Sequence, residues 1–149
     1  MNMKKNVIQT LISLIVIIGI CSCTTSPKKT TQKEEATGKW VKYENNPVLG
    51  GGDLGTVFDI CVLKDSDSYK MYSSWRPQKS IALSTSKDGK NWSAPQIVLP
   101  PVEGSSWEAD MNRPVVVYKD GLYHMWYTGQ NDGKSWIGYA ISKDRKSVV

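Results

Sequence analysis

The sequence repeats itself after 54 to 56 residues. Tyr69 corresponds to Tyr123, and the tripeptide at 86–88 (Ser-Lys-Asp) corresponds to the same tripeptide at 142–144. Both copies consist of short segments rich in Tyr, Trp and Val, separated by Gly, Asp, Asn and Ser, and no window sustains a helical periodicity. The repeat therefore predicts an all-β chain with two similar sheets.

Each copy contains the same order of predicted elements: an apolar run, a tight turn with Asp or Gly, an aromatic strand and a third strand. The predicted strands are Ile60–Leu63, Tyr69–Trp75 and Ile81–Ser84 in the first copy, and Val115–Tyr118, Tyr123–Thr128 and Ile137–Ile141 in the second. The turn at 86–92 closes the first copy, with its Asp bonding local amides and its Gly taking a positive φ. Three or four strands in about 50 residues are typical of a β-propeller blade, so residues 40–149 are predicted to hold about two blades.

A targeting segment is predicted at residues 1–23. Lys4 and Lys5 precede an apolar run that is too short to span a bilayer comfortably. The segment ends in Ile20-Cys21-Ser22-Cys23, which resembles a bacterial lipobox, and Cys23 fits better than Cys21 because a small residue precedes it. We expect an exported lipoprotein that is anchored in a membrane by acylated Cys23. An ordinary secretory peptide is the alternative.

Residues 24–39 contain a single apolar residue, Ala36, and are expected to form a flexible tether. The net charge of +5 comes mostly from residues 1–39, because from Trp40 onward 13 basic residues stand against 12 acidic ones. No nucleic-acid partner is therefore expected. The remaining cysteine, Cys61, lies in an apolar run and is interpreted as a buried small side chain. No CxxC or His/Cys cluster is present to hold zinc, and no cofactor is expected.

Residues 40–147 resemble the five-bladed β-propeller glycoside hydrolases around families 43, 32 and 130. The resemblance rests on Asn46-Pro47-Val48-Leu49, on Phe58-Asp59 ten residues before Tyr69, on the turn at 86–92, and on the segment WEADMNRP at 107–114. It implies an oligosaccharide or polysaccharide as the substrate.

Glycoside cleavage usually needs two carboxyl groups that flank the bond. The resemblance implies that Asp59, near the start of the first inner strand, is the catalytic base or nucleophile; a simple structural Asp is the alternative. Its counterpart in the second copy is Arg113, where related enzymes often place an aspartate that tunes the acid or holds sugar hydroxyls. Asp110 is the candidate for that role, with Arg113 as its cation, and a surface ion pair is equally compatible with the pattern.

Further candidates for substrate binding are Asp53, Glu108, Arg113, Trp75, Trp107 and Trp136. Indole rings can stack on sugars, but propeller cores are also built from Trp. In the relatives the general acid comes from a later blade, and the second copy here ends without the Gly and Trp that close the first. We therefore expect a truncated hydrolase. A non-catalytic carbohydrate-binding lipoprotein and an inactive fragment are the alternatives.

Overall fold

The computed structural model describes residues 38–144, which include a compact unit that begins at Val41. The predicted signal peptide with Cys23, and the tether up to residue 37, lie outside the described residues. No helix within 38–144 is long and apolar enough to cross a membrane. The described part is all-β, as predicted, with two single-turn 3-10 helices at Gly52–Leu54 and Arg76–Gln78.

The first copy of the repeat forms a four-stranded antiparallel sheet, here called sheet one. Its strands are β1 (Val57–Asp65), β2 (Ser68–Trp75), β3 (Ser80–Ser86) and β4 (Gln96–Leu99), and they neighbour each other in chain order. β2 and β3 are buried along nearly their whole length, whereas β1 keeps several exposed positions. This meander is the blade that the sequence predicts, with β4 as its fourth strand.

The second copy forms a three-stranded antiparallel sheet, sheet two. Its strands are β5 (Asp110–Lys119), β6 (Leu122–Asn131) and β7 (Lys134–Ser142), again in chain order. Gly138 in β7 lies directly against the Tyr127 ring, because a Cβ atom there would come within 2.3 Å of Tyr127 Cζ. Only glycine allows β7 to pair this closely with the aromatic strand β6.

The two sheets share one hydrophobic core. Sheet one contributes Tyr72, Ile81, Leu83, Val98 and Leu99, and sheet two contributes Met111, Val116, Tyr123 and Tyr127. Cys61 is partly buried against this core, and its Sγ accepts a hydrogen bond from the main-chain N–H of Val116 at 3.3 Å. Successive sheets therefore pack face to face, as neighbouring propeller blades do.

The turns that close the two copies have the same local structure. In the first copy Ser86 Oγ donates to Asp88 Oδ1 at 3.0 Å, and in the second Ser142 Oγ donates to Asp144 Oδ1 at 3.1 Å. In the first turn Trp92 folds back so that its Nε1–H donates to the Gly89 carbonyl at 3.1 Å. The sequence repeat is thus a structural repeat down to side-chain hydrogen bonds.

Candidate functional site

Asp59 and Arg113 lie at equivalent β-bulges. In β1, Phe58 pairs with Ser74 and Cys61 with Tyr72, so Asp59 and Ile60 together oppose one residue of β2. A bulge occupies the matching place in β5, between Asn112 and Val115. Asp59 has φ 47° and Arg113 has φ 53°, so each bulge holds a non-glycine residue in the left-handed region. Such bulges bend a strand and redirect a side chain.

The two bulge residues face each other across the sheet interface. Arg113 Nε lies 3.6 Å from Asp59 Oδ2, and the main-chain N–H of Arg113 donates to Ser74 Oγ at 2.9 Å. Ser74 is fully buried at the end of β2. The backbone of β5 is therefore fixed to sheet one at the residue whose side chain pairs with Asp59.

Asp110 begins β5 and holds a second set of polar contacts. Its Oδ2 accepts a hydrogen bond from Arg76 Nη1, and its Oδ1 accepts one from Asn112 Nδ2 at 3.0 Å. The Asn112 amide is buried and also donates to Gln130 Oε1 at 2.7 Å. The Arg76 guanidinium lies 5.6 Å from the centre of the Phe58 ring, next to Asp59. The Arg76–Asp110 pair therefore lies at the same end of the two sheets as the Asp59–Arg113 pair.

The structure also places the predicted binding residues Asp53 and Trp75 near the start of β1. The Trp75 Nε1–H donates to the Leu54 carbonyl at 2.8 Å, so this indole supports the loop that carries Asp53. Asp53 lies in the 3-10 turn Gly52–Leu54 and is exposed. No hydrogen bond or ion pair within residues 38–144 joins Asp53 to the other candidates.

Glu108 and Trp107 contact Tyr127. Within residues 38–144, no hydrogen bond joins either side chain to the Asp59–Arg113 pair or to the Arg76–Asp110 pair. The Tyr127 hydroxyl donates to Glu108 Oε1 at 2.7 Å, and the Trp107 ring stacks on the Tyr127 ring with centres 6.1 Å apart. Burial raises the pKa of Tyr127 well above its usual range, and the bond to Glu108 raises that pKa further. Trp107 also covers Gly129, where a Cβ atom would come within 2.6 Å of the Trp107 carbonyl oxygen.

A groove lies beside this loop, at the turn between β6 and β7. Its lining residues are Ser106, Trp107, Asn131, Asp132, Lys134, Trp136 and Ile137. Asn131 and Lys134 flank the turn, and Asn131 follows Gln130, the hydrogen-bond partner of Asn112. The groove therefore brings Trp107 and Trp136 together, one residue along β6 from Gln130.

The structure thus joins Asp59 to Arg113 by an ion pair, and places Trp107 and Trp136 in one groove. It adds Arg76, Asn112 and Gln130, which sequence reasoning did not single out. Arg76 directly follows the aromatic strand, and its ion pair with Asp110 depends on the packing of one sheet on the other. No group of three or more His, Cys, Asp or Glu residues within 38–144 is placed to hold a metal ion.

A scan against protein-family models finds no match, and a search of curated proteins finds none. Solved structures do match. A family 117 glycoside hydrolase from the marine bacterium Zobellia galactanivorans aligns with a TM-score of 0.53 at 14% identity, over 60% of this chain and 36% of that chain. The family 43 endo-arabinanase from Bacillus licheniformis aligns with a TM-score of 0.50 at 23% identity, over 63% and 34% of the two chains.

A family 43 β-1,3-galactosidase, solved with galactodeoxynojirimycin, aligns with a TM-score of 0.53 at 22% identity, over 62% of this chain and 32% of that chain. This chain shares the fold of these hydrolases. The predicted resemblance to five-bladed propeller glycoside hydrolases is confirmed at the level of the fold. This chain spans about a third of the length of the structures that it matches.

Proposed function

We propose that residues 40–149 carry part of a glycan-cleaving site in which Asp59 is the base or nucleophile. The strained bulge that presents Asp59 is the observation that carries the proposal. A non-glycine residue in the left-handed region costs about 1–3 kcal/mol. A half-exposed ion pair such as Asp59–Arg113 contributes about 0–1 kcal/mol, which does not offset two such residues. We infer that the position of these side chains serves a function, because the two bulges bring both side chains together at one end of the sheet interface.

The proposed roles follow from what each group contacts. Asp59 attacks the anomeric carbon directly, or removes a proton from the water that does so. Asp110, held by Arg76 and Asn112, accepts hydrogen bonds from sugar hydroxyls. Trp107 and Trp136 offer indole faces to the next sugar ring along the groove. We propose that the chain is part of a longer hydrolase and that the general acid lies outside residues 40–149, as the resemblance implies.

Activated glycosides test this function on the chain as it stands. A dinitrophenyl leaving group needs no proton, so a site with a nucleophile or base and no general acid still cleaves it. The names of the matching hydrolases suggest arabinofuranosides and galactosides as first probes. We expect slow release of dinitrophenol and no cleavage of the corresponding natural oligosaccharides. Failure to cleave any activated glycoside would contradict the catalytic proposal.

A carbohydrate-binding protein without catalysis is the second candidate. The observation that favours it is that Asp59 and Asp110 are each paired with an arginine, which leaves neither of these two carboxylates free. Binding of oligosaccharides without cleavage of any activated glycoside would establish this second function. Asp67→Asn is a control for Asp59→Asn in these assays, because Asp67 is exposed in the turn between β1 and β2, at the opposite end of sheet one.

We further propose that the chain is exported and held at a membrane by lipid on Cys23. The support is the lipobox-like sequence Ile20-Cys21-Ser22-Cys23 after a short apolar run. A diacylglycerol group together with an N-acyl chain would provide more than one lipid anchor, which is sufficient for stable attachment. The tether at 24–39 would then separate the sheets from the membrane surface, where they meet extracellular or periplasmic glycans.

A further inference from the structure

The two ion pairs at the site end share an arrangement in which the arginine is the outer partner. The Arg76 side chain is 52% exposed and its partner Asp110 is 20% exposed. The Arg113 side chain is 57% exposed and its partner Asp59 is 34% exposed. A ligand at this end can therefore reach more of each arginine side chain than of its aspartate partner.

Each guanidinium keeps donors available for a ligand. Within residues 38–144, the side-chain contacts of Arg76 are the Nη1 bond to Asp110 and the packing over Phe58. Arg113 approaches Asp59 through Nε alone, at 3.6 Å, which is longer than a hydrogen bond. A guanidinium has five N–H donors in a planar fork that matches the oxygens of a carboxylate or sulfate.

Both arginines are held in place by the backbone rather than by their aspartates alone. The main-chain N–H of Arg76 donates to the Thr56 carbonyl at 3.0 Å, and that of Arg113 donates to Ser74 Oγ at 2.9 Å. Met111, between Asp110 and Arg113, donates its N–H to the Lys79 carbonyl at 2.9 Å. The guanidinium groups therefore project from fixed points on two sheets that are tied together.

From this arrangement we propose that the site selects acidic glycans, with Arg76 and Arg113 binding a carboxylate or sulfate oxyanion of the sugar. The inference rests on the proposed function and specifies its substrate class. The four charged side chains carry no net charge, so the two ion pairs themselves present no excess of negative charge to an anionic sugar. Displacement of the loose Arg113–Asp59 contact by the ligand would also free the Asp59 carboxylate beside the bound sugar.

Calorimetric titration of the full chain tests the inference with three matched probes: galacturonic acid oligomers, sulfated galactose oligomers and neutral galactose oligomers. We expect one or both acidic probes to bind at least about tenfold tighter than the neutral one. Added salt should weaken only acidic binding. The acidic probe that binds tighter identifies the oxyanion. Equal affinity for all three probes, or binding of none, overturns the inference, and the dinitrophenyl glycoside assay decides separately whether the proposed function stands.

Variants separate ligand binding from a purely structural role. Arg76→Gln and Arg113→Gln should each lower acidic affinity about tenfold and so reduce the preference for acidic over neutral probes. Lys87→Gln removes an exposed cation at the opposite end of sheet one and should change nothing. The double variant Asp59→Asn/Arg113→Gln removes both partners of the pair. An acidic preference as strong as that of the wild-type chain in this variant would show that Arg113 does not bind the oxyanion, and would overturn its assignment. If the glutamine variants do not fold, Arg76→Lys and Arg113→Lys take their place. Lysine keeps the positive charge but lacks the planar fork of N–H donors, so these variants should show an intermediate loss of acidic affinity.

Discussion

Arg113 Nε of sheet two lies 3.6 Å from Asp59 Oδ2 of sheet one, and the two residues occupy the same position of the repeat. The same left-handed backbone position of the repeat thus carries an aspartate in sheet one and an arginine in sheet two. The two side chains form an ion pair across the sheet interface. A second pair, Arg76 with Asp110, crosses the sheet interface in the opposite sense. The packing of one sheet on the other therefore determines the charge pattern of the candidate site.

Acid should loosen the turn at 86–92. The Asp88 carboxylate accepts hydrogen bonds from the main-chain N–H of Asn91, the Asn91 side-chain amide and the main-chain N–H of Lys90, and these hold the pKa of Asp88 far below its usual range. Because the folded pKa lies below the unfolded value of about 3.9, the stabilisation is complete above that pH and is lost as the pH falls toward the folded pKa.

Denaturant titrations at pH 6 and pH 3 measure this effect. Asp88→Asn should lower the free energy of unfolding at pH 6 and reduce its change between the two pH values. Asp67→Asn, at the exposed turn between β1 and β2, serves as a control and should keep the wild-type pH dependence. An Asp88→Asn variant with the wild-type pH dependence would show that the turn does not contribute to acid sensitivity.

The outer face of sheet two should cause self-association. This face carries Val115, Val117, Trp126, Ile137 and Tyr139, all exposed. The repeat equates these residues with Cys61, Leu63, Tyr72, Ile81 and Leu83 of sheet one, which pack in the core against sheet two. The face of sheet two that corresponds to the core face of sheet one is therefore exposed. Exposed apolar surface of this kind promotes association.

Sedimentation velocity measures the association directly. The double variant Trp126→Ser/Tyr139→Ser should shift the chain toward the monomer without unfolding it. Tyr118→Ser removes an exposed aromatic ring that packs on Tyr123 instead, and should leave association unchanged. A wild-type chain that stays monomeric at high concentration would contradict this interpretation of the face.

Membrane attachment should depend on Cys23. Substitution of Cys23 by Ala should release the protein from membranes, because the acylated thiol is lost, whereas Cys21→Ala should leave it attached. Metabolic labelling with palmitate, followed by membrane fractionation, compares the two variants. Palmitate labelling that persists in Cys23→Ala would contradict the assignment of Cys23 as the acylated cysteine of the lipobox.

The sequence predicted the sheets well because two copies of one pattern reinforce each other. All six predicted strands lie within β1, β2, β3, β5, β6 and β7, each of which extends the predicted segment at one or both ends. β4 was not delimited, because the segment Gln96–Leu99 is short and has no counterpart in the described part of the second copy. Arg113 was recognised as the counterpart of Asp59 by counting from the repeated tyrosines.

The contacts of the site were less predictable. The left-handed conformation at the bulges leaves no sequence signal, since neither Asp59 nor Arg113 is a glycine. The pairing of Arg76 with Asp110 joins residues 34 positions apart and depends on how the sheets pack. A local pattern cannot specify such a contact.

The most direct measurement is the hydrolysis of a dinitrophenyl glycoside by the wild-type chain, Asp59→Asn and the control Asp67→Asn. Asparagine keeps the size and hydrogen bonding of Asp59 but can act neither as base nor as nucleophile. The account predicts that Asp59→Asn lowers kcat by a factor of about 10² or more with KM nearly unchanged, and that Asp67→Asn keeps wild-type kinetics. A fully active Asp59→Asn variant would contradict the central claim and make Asp53 or Asp110 the next candidate.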